Sequence, residues 1–168
     1  MKSILKFLSL LIVLLMISCG GEDQKKKESS QIKIKSQKKE VKTADKSTAV
    51  LASKKIDLTS KGFGPIKSLT LDPEINQTMV THGADVYKKM CTACHRADKK
   101  FIGPAPNGIL LRRTPEWIMN MILDPEGMVK NDPLAKELLI EFNGSPMANQ
   151  NLTEEEARAV LEYFRTLK

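Results

Sequence analysis

Cys91-Thr92-Ala93-Cys94-His95 is the stretch of this 168-residue sequence whose residue types and spacing announce chemistry. Two thiols three positions apart, with an imidazole directly after the second, lie on a single helical turn. Three chemistries use such a string: a thioredoxin-like redox pair, half of a structural zinc site, and attachment of c-type haem. In the last, both thiols add to the porphyrin vinyl groups and the histidine supplies an axial nitrogen to the iron. A zinc site needs four ligands and usually a second cysteine pair, yet the remaining cysteine and histidine are Cys19 and His82. A thioredoxin-like fold needs alternating strands and helices, and no such alternation is present. One covalent haem c is therefore expected on Cys91 and Cys94, with His95 on the iron.

The elements that must position these groups read as helices. From Leu71 onward strand signals are scarce and the apolar spacing is helical, which predicts an all-α domain. Met79, Gly83, Val86, Tyr87 and Met90 fall on one helical face leading into Cys91. Thr114-Pro115 opens a second helix through Trp117, Ile118, Met121 and Ile122, limited by Pro125. Asp132-Pro133 repeats that start signal, Leu134, Leu138, Leu139 and Phe142 give the third helix its apolar side, and Gly144 stops it. Thr153 with Glu156 forms a capping box for the last helix, whose inner side is Ala157, Val160, Leu161 and Phe164. Met128, after Pro125-Glu126-Gly127, is read as a loop residue.

With these features, residues 78–167 resemble the class I, monohaem cytochrome c family. The likeness is carried by Gly83 and Tyr87 ahead of CxxCH, the Gly103-Pro104 step, Met147 in Ser145-Pro146-Met147, and Tyr163 in the final helix. It implies a cytochrome c fold of about four helices around one covalently attached haem, and an electron-transfer protein rather than an enzyme. Within it, Gly83 allows close crossing of the first and last helices, the Pro104 carbonyl accepts a hydrogen bond from His95, and Met147 is the second axial ligand of the iron. Met79, Met90, Met119 and Met121 sit on helices as packing residues. Met128 is the rival, but Met147 directly precedes the last helix, as the family arrangement requires. His82 lies on the helix leading into the motif and is not expected on the iron. Trp117 is either a core aromatic or an indole donor to a haem propionate, and Arg112 and Arg113 either pair with a propionate or stand in water. Lys88, Lys89, Lys99 and Lys100 flank the motif, either as ordinary solvated side chains or as a basic rim that would steer an acidic partner. The wording of residues 112–117 and 146–150 is similar to small cytochromes accompanying nitrous oxide reductase, which makes that enzyme a candidate partner.

The N-terminus supplies location. Lys2 and Lys6 precede an apolar run from Phe7 to Ile17 that is short for a membrane span of about 20 residues. Met16-Ile17-Ser18-Cys19 resembles the lipobox of bacterial lipoproteins, which implies cleavage before Cys19 and lipidation of that residue. A plain secretory signal or an uncleaved anchor are the alternatives. Residues 1–18 are thus assigned as the signal peptide, 19–74 as a disordered Lys-rich tether on a lipid anchor, and 75–168 as the cytochrome c domain. The net charge of +7 resides in the signal and tether, because residues 61–168 hold 14 basic and 14 acidic residues. A neutral folded part offers no basic face for nucleic acid. The expected function is single-electron transfer between redox protein partners by an exported, membrane-anchored lipoprotein facing the periplasm or cell exterior. An electron-entry subunit of a larger reductase or oxidase, and a haem sensor with an open sixth site, are the other readings.

Overall fold

The computed structural model describes residues 50–168. The expected signal peptide, Cys19 and the Lys-rich stretch up to residue 49 lie outside the described residues. Five α-helices are present among them: α1 (Gln77–Met90), α2 (Pro115–Leu123), α3 (Pro125–Asn131), α4 (Pro133–Glu141) and α5 (Glu154–Phe164). Short 3-10 turns cover Ala52–Lys54 and Ile109–Leu111, and one isolated parallel bridge pairs Asp57 with Arg113. None of the described helices is long and apolar enough to cross a membrane.

Side-chain caps set the helix starts. Thr114, Asp124 and Asp132 each precede a proline at the first helical position, and each accepts a hydrogen bond from a backbone N–H in the first turn. Asp124 both ends α2 and caps α3, and Asp132 does the same between α3 and α4, so three helices follow one another with single-residue joints. Met128, expected in a loop after Pro125-Glu126-Gly127, thus lies on a helix. Thr153 and Glu156 form the reciprocal capping box on α5.

α1 and α5 make the central crossing. A Cβ at Gly83 would stand 1.9 Å from the Ala159 carbonyl oxygen, so this crossing requires glycine. Beside it Tyr87 packs on Tyr163 and edge-on against Phe164, with ring centroids 5.4 and 5.7 Å apart. Glu162, 1% exposed, pairs with Arg158 and Arg165 and accepts the N–H of Asn76, the N-cap of α1.

The domain begins earlier than the expected boundary at residue 75. Residues 50–74, assigned to the tether, form a strap bound to the helical body. Buried side chains of α2, and Arg113 just before it, hold the strap. Asn120 accepts the Ile66 N–H and donates to the Lys61 and Ile66 carbonyls, each at 2.9 Å. Glu116 accepts the Leu69 N–H, and Arg113 donates to the Ala52 and Lys55 carbonyls. Farther along, Arg165 donates to the Asp72 carbonyl at 2.7 Å. Composition correctly says that such a segment cannot build its own core, but here its backbone groups are satisfied by another part of the fold, with only Ala52 and Ile66 fully buried among its apolar side chains.

Candidate functional site

Cys91 caps the C-terminus of α1, its N–H bonded to the Tyr87 carbonyl. The chain then turns tightly, with the Cys94 and His95 N–H groups both donating to the Cys91 carbonyl at 3.1 and 2.9 Å. This turn brings both thiols and the imidazole to one apolar cleft, also lined by Trp117, Phe142 and Met147. Burial pushes the Cys91 thiol up to about 11, with the neighbouring Cys94 adding to the shift. Among the described residues neither cysteine forms a disulfide.

His95 Nδ1 lies 2.8 Å from the Pro104 carbonyl oxygen. A carbonyl only accepts, so Nδ1 carries a proton, and in the neutral imidazole this tautomer leaves the Nε2 lone pair free, the form an iron ligand requires. The ring also rests against Gly103, where a Cβ would stand 2.5 Å from its Cε1 atom. The Gly103 N–H donates to the Cys94 carbonyl, which closes the loop back onto the motif.

Of the competing methionines, Met147 reaches the cleft from an irregular segment between α4 and α5. That segment turns at Asn143 and Asn151, both left-handed, and the Asn149 amide pins it to the Leu123 carbonyl at 3.2 Å. Met90 and Met121 also line the cleft, but from helices. Met128 lies away from it. It is fully buried on α3, where its sulfur accepts the Phe63 N–H of the strap at 3.0 Å. Its part is to anchor the strap. His82 is exposed on α1 and is not among the cleft residues.

Trp117 and Tyr87 both line the cleft, and both carry a buried polar atom without a partner, the indole Nε1 and the phenol oxygen. Buried polar groups are nearly always paired, so the two mark where a bound group offers acceptors. Burial foremost pushes the Tyr87 phenol up to about 12, which keeps it protonated. Arg112 and Arg113 line the cleft too, and neither stands free in water as one expectation had it. Arg112 is half-buried and donates to the Asn107 and Gly108 carbonyls at 3.2 Å. Arg113 is 3% exposed and lies with its guanidinium carbon 5.2 Å from the Trp117 ring. The Tyr87 phenol and the strap residue Ser53 are cleft groups that motif reading did not assign. Tyr87 stood out on the α1 apolar face and in the family likeness, without a role for its hydroxyl, and Ser53 gave no signal.

Apolar walls, two thiols at the rim of one turn, a proton-fixed imidazole, a thioether and orphaned donors fit a porphyrin with carboxylate arms. The cytochrome c family model matches residues 80–168, more than half of the chain. Cytochrome c from Rhodothermus marinus is 40% identical, covering 68% of this chain and 91% of that one, with a TM-score of 0.59. The chain belongs to the cytochrome c family. An engineered form of the Rhodothermus marinus protein, Rma TDE, is 39% identical over 68% of this chain and 92% of its own, with a TM-score of 0.59. The same engineered protein bound to a carbene intermediate, 1-ethoxy-1-oxopropan-2-ylidene, matches at 39% identity and a TM-score of 0.57. No curated protein matches the chain. This cytochrome accordingly uses covalently attached haem c and its iron for electron transfer, and Cys91 and Cys94 are the thiols of its attachment motif.

Proposed function

We propose that this cytochrome is a one-electron carrier whose iron is held by His95 and Met147, and that Cys19 ties it by a lipid to a membrane facing the periplasm or cell exterior. The observation that carries the ligation is the Nδ1–H of His95 on the Pro104 carbonyl, which leaves Nε2 as the donor nitrogen in a cleft that Met147 also lines. When bound, haem c supplies a one-electron couple. The chain's own residues orient the ring and keep water from it. Two protein ligands close the iron to other molecules, and a thioether favours the ferrous state more than a second imidazole would. Trp117 Nε1 and the Arg112 and Arg113 guanidiniums are suited to receive a propionate.

Partners are redox proteins that meet the exposed edge of the site. Met90, Phe101 and Ile102 are exposed there, beside Lys88, Lys89, Lys99 and Lys100, so an acidic docking face with a small apolar centre would fit. Nitrous oxide reductase is one candidate acceptor, and the bilayer is contacted through the lipid. A redox titration of the purified protein, followed by its visible spectrum, tests the reading. A single reversible one-electron step without binding of carbon monoxide is expected. Ready binding of carbon monoxide would point instead to a sensor with an open sixth site, and co-purification with a large reductase would point to a subunit.

A further inference from the structure

Arg113 is a buried cation, and among the described residues no carboxylate lies within salt-bridge distance of it. Its guanidinium donates to three backbone carbonyls, those of Ala52 and Lys55 in the strap and its own neighbour Arg112. Carbonyls supply acceptors but no charge, the Asp57, Asp132 and Glu137 carboxylates act on the guanidinium only from beyond ion-pair distance, and burying a charge without a counter-ion in contact is costly. Burial lowers the affinity of this guanidinium for its proton, yet an arginine stays cationic. Beside it, the Trp117 indole N–H is buried and unpartnered, and both side chains line the cleft.

The strap makes this arrangement. Its first turn places Ser53 in the cleft wall, and its carbonyls fix the Arg113 guanidinium. Three further ties fasten that end. The Ser53 N–H and hydroxyl donate to the Glu141 carboxylate at 2.8 and 2.6 Å, Lys55 pairs with Glu137, and the Asp57 N–H donates to the Arg112 carbonyl at 2.9 Å. Glu137 and Glu141 lie on α4 and are not cleft residues.

We infer that residues 52–57 are a functional wall of the haem site: strap closure keeps Arg113 dry as counter-ion to a propionate and thereby raises the reduction potential. This rests on the proposed reading that the propionates lie against Arg113 and Trp117. The family model begins at residue 80, so this wall lies outside the region that defines the family. The sign follows from electrostatics. A nearby buried cation and exclusion of water both disfavour the more positive ferric state, so opening the strap lowers the potential.

The test uses the full-length holoprotein with the strap ties removed in two ways, Glu137→Gln with Glu141→Gln, and Ser53→Pro. Trypsin cleavage after Lys54 and Lys55 should quicken about tenfold or more as the end opens, while haem staining on a denaturing gel persists. The midpoint potential should fall in both. Loss of two carboxylates acting only as charges would raise it, so a fall in the glutamine pair separates opening from simple charge change. In an Arg113→Met background, which should itself lower the potential, strap opening should add little. Faster cleavage with an unchanged or raised potential would overturn the inference, and so would unchanged cleavage, because these ties would then not hold the strap. Failure of the haem reading itself would show differently, as an absence of covalent haem from the unsubstituted protein.

Discussion

Gly83→Ala tests the helix crossing on which the domain rests. The added Cβ would lie 1.9 Å from the Ala159 oxygen, 2.4 Å from its carbonyl carbon and 2.8 Å from the Val160 nitrogen, all backbone atoms that cannot rotate away. An ordinary contact begins at 3.4 Å, so α1 and α5 must separate by about 1.5 Å, the difference between 3.4 and 1.9 Å. That movement pulls Tyr87 from Tyr163 and Phe164, whose ring centroids are 5.4 and 5.7 Å away. Overpacking of a tight core costs about 3 kcal/mol at the upper end of its usual range. Alanine returns about 1 kcal/mol through helix propensity, leaving a net loss of about 2 kcal/mol. At about 4 °C per kcal/mol for a domain of this size, Tm should fall by about 8 °C. Thermal unfolding followed by far-ultraviolet circular dichroism measures this, with covalent haem retained throughout. A variant as stable as the parent, or more stable by the propensity gain, would refute the contact crossing.

Met128→Ala should leave the ligation spectrum unchanged but destabilise the domain by about 2–5 kcal/mol and expose the strap near Phe63 to protease. Trypsin acting on the intact protein should cut first between residues 24 and 49, sparing Lys54, Lys55 and Lys61, and Cys19→Ser should move an otherwise unchanged protein from the membrane fraction to the soluble one. Retention of that variant on membranes at high salt would mean that a lipid on Cys19 is not the anchor. Glu162 supplies a pH dependence: burial alone would raise its carboxyl, but Arg158, the Asn76 N–H and Arg165 outweigh that and hold it below the ordinary 4.5. A depressed carboxylate contributes stability that is fully present above its unfolded value and lost as pH falls through the folded one, so Glu162→Gln should flatten the acid limb of the stability curve below about 4.5. An unaltered acid limb would show that the triad adds nothing.

The chemical core of the site was legible because it is local. CxxCH is a contiguous string, and Thr114-Pro115, Asp132-Pro133 and Thr153 with Glu156 are caps written within four residues. Asp124-Pro125 carries the same start signal, but Gly127 and the lack of an apolar period disguised a seven-residue helix as a loop. What stayed hidden is long-range. Nothing in Lys61, Ile66 or Leu69 announces that Asn120 and Glu116 will take up their backbone groups from about 50 residues away. For the same reason Arg113 read as ambiguous, since its burial is created by the Ala52 and Lys55 carbonyls of a segment that composition assigned to solvent.

In the proposed ligation Met147, together with His95, closes the iron of a covalently held haem. The most direct measurement is the far-red absorption of the oxidised protein, where thioether-to-iron charge transfer gives a weak band, compared between the parent and Met147→Ala. The band is expected in the parent, with its loss and binding of added cyanide in the variant. A parent without the band, or a Met147→Ala protein that keeps it, would contradict the assignment.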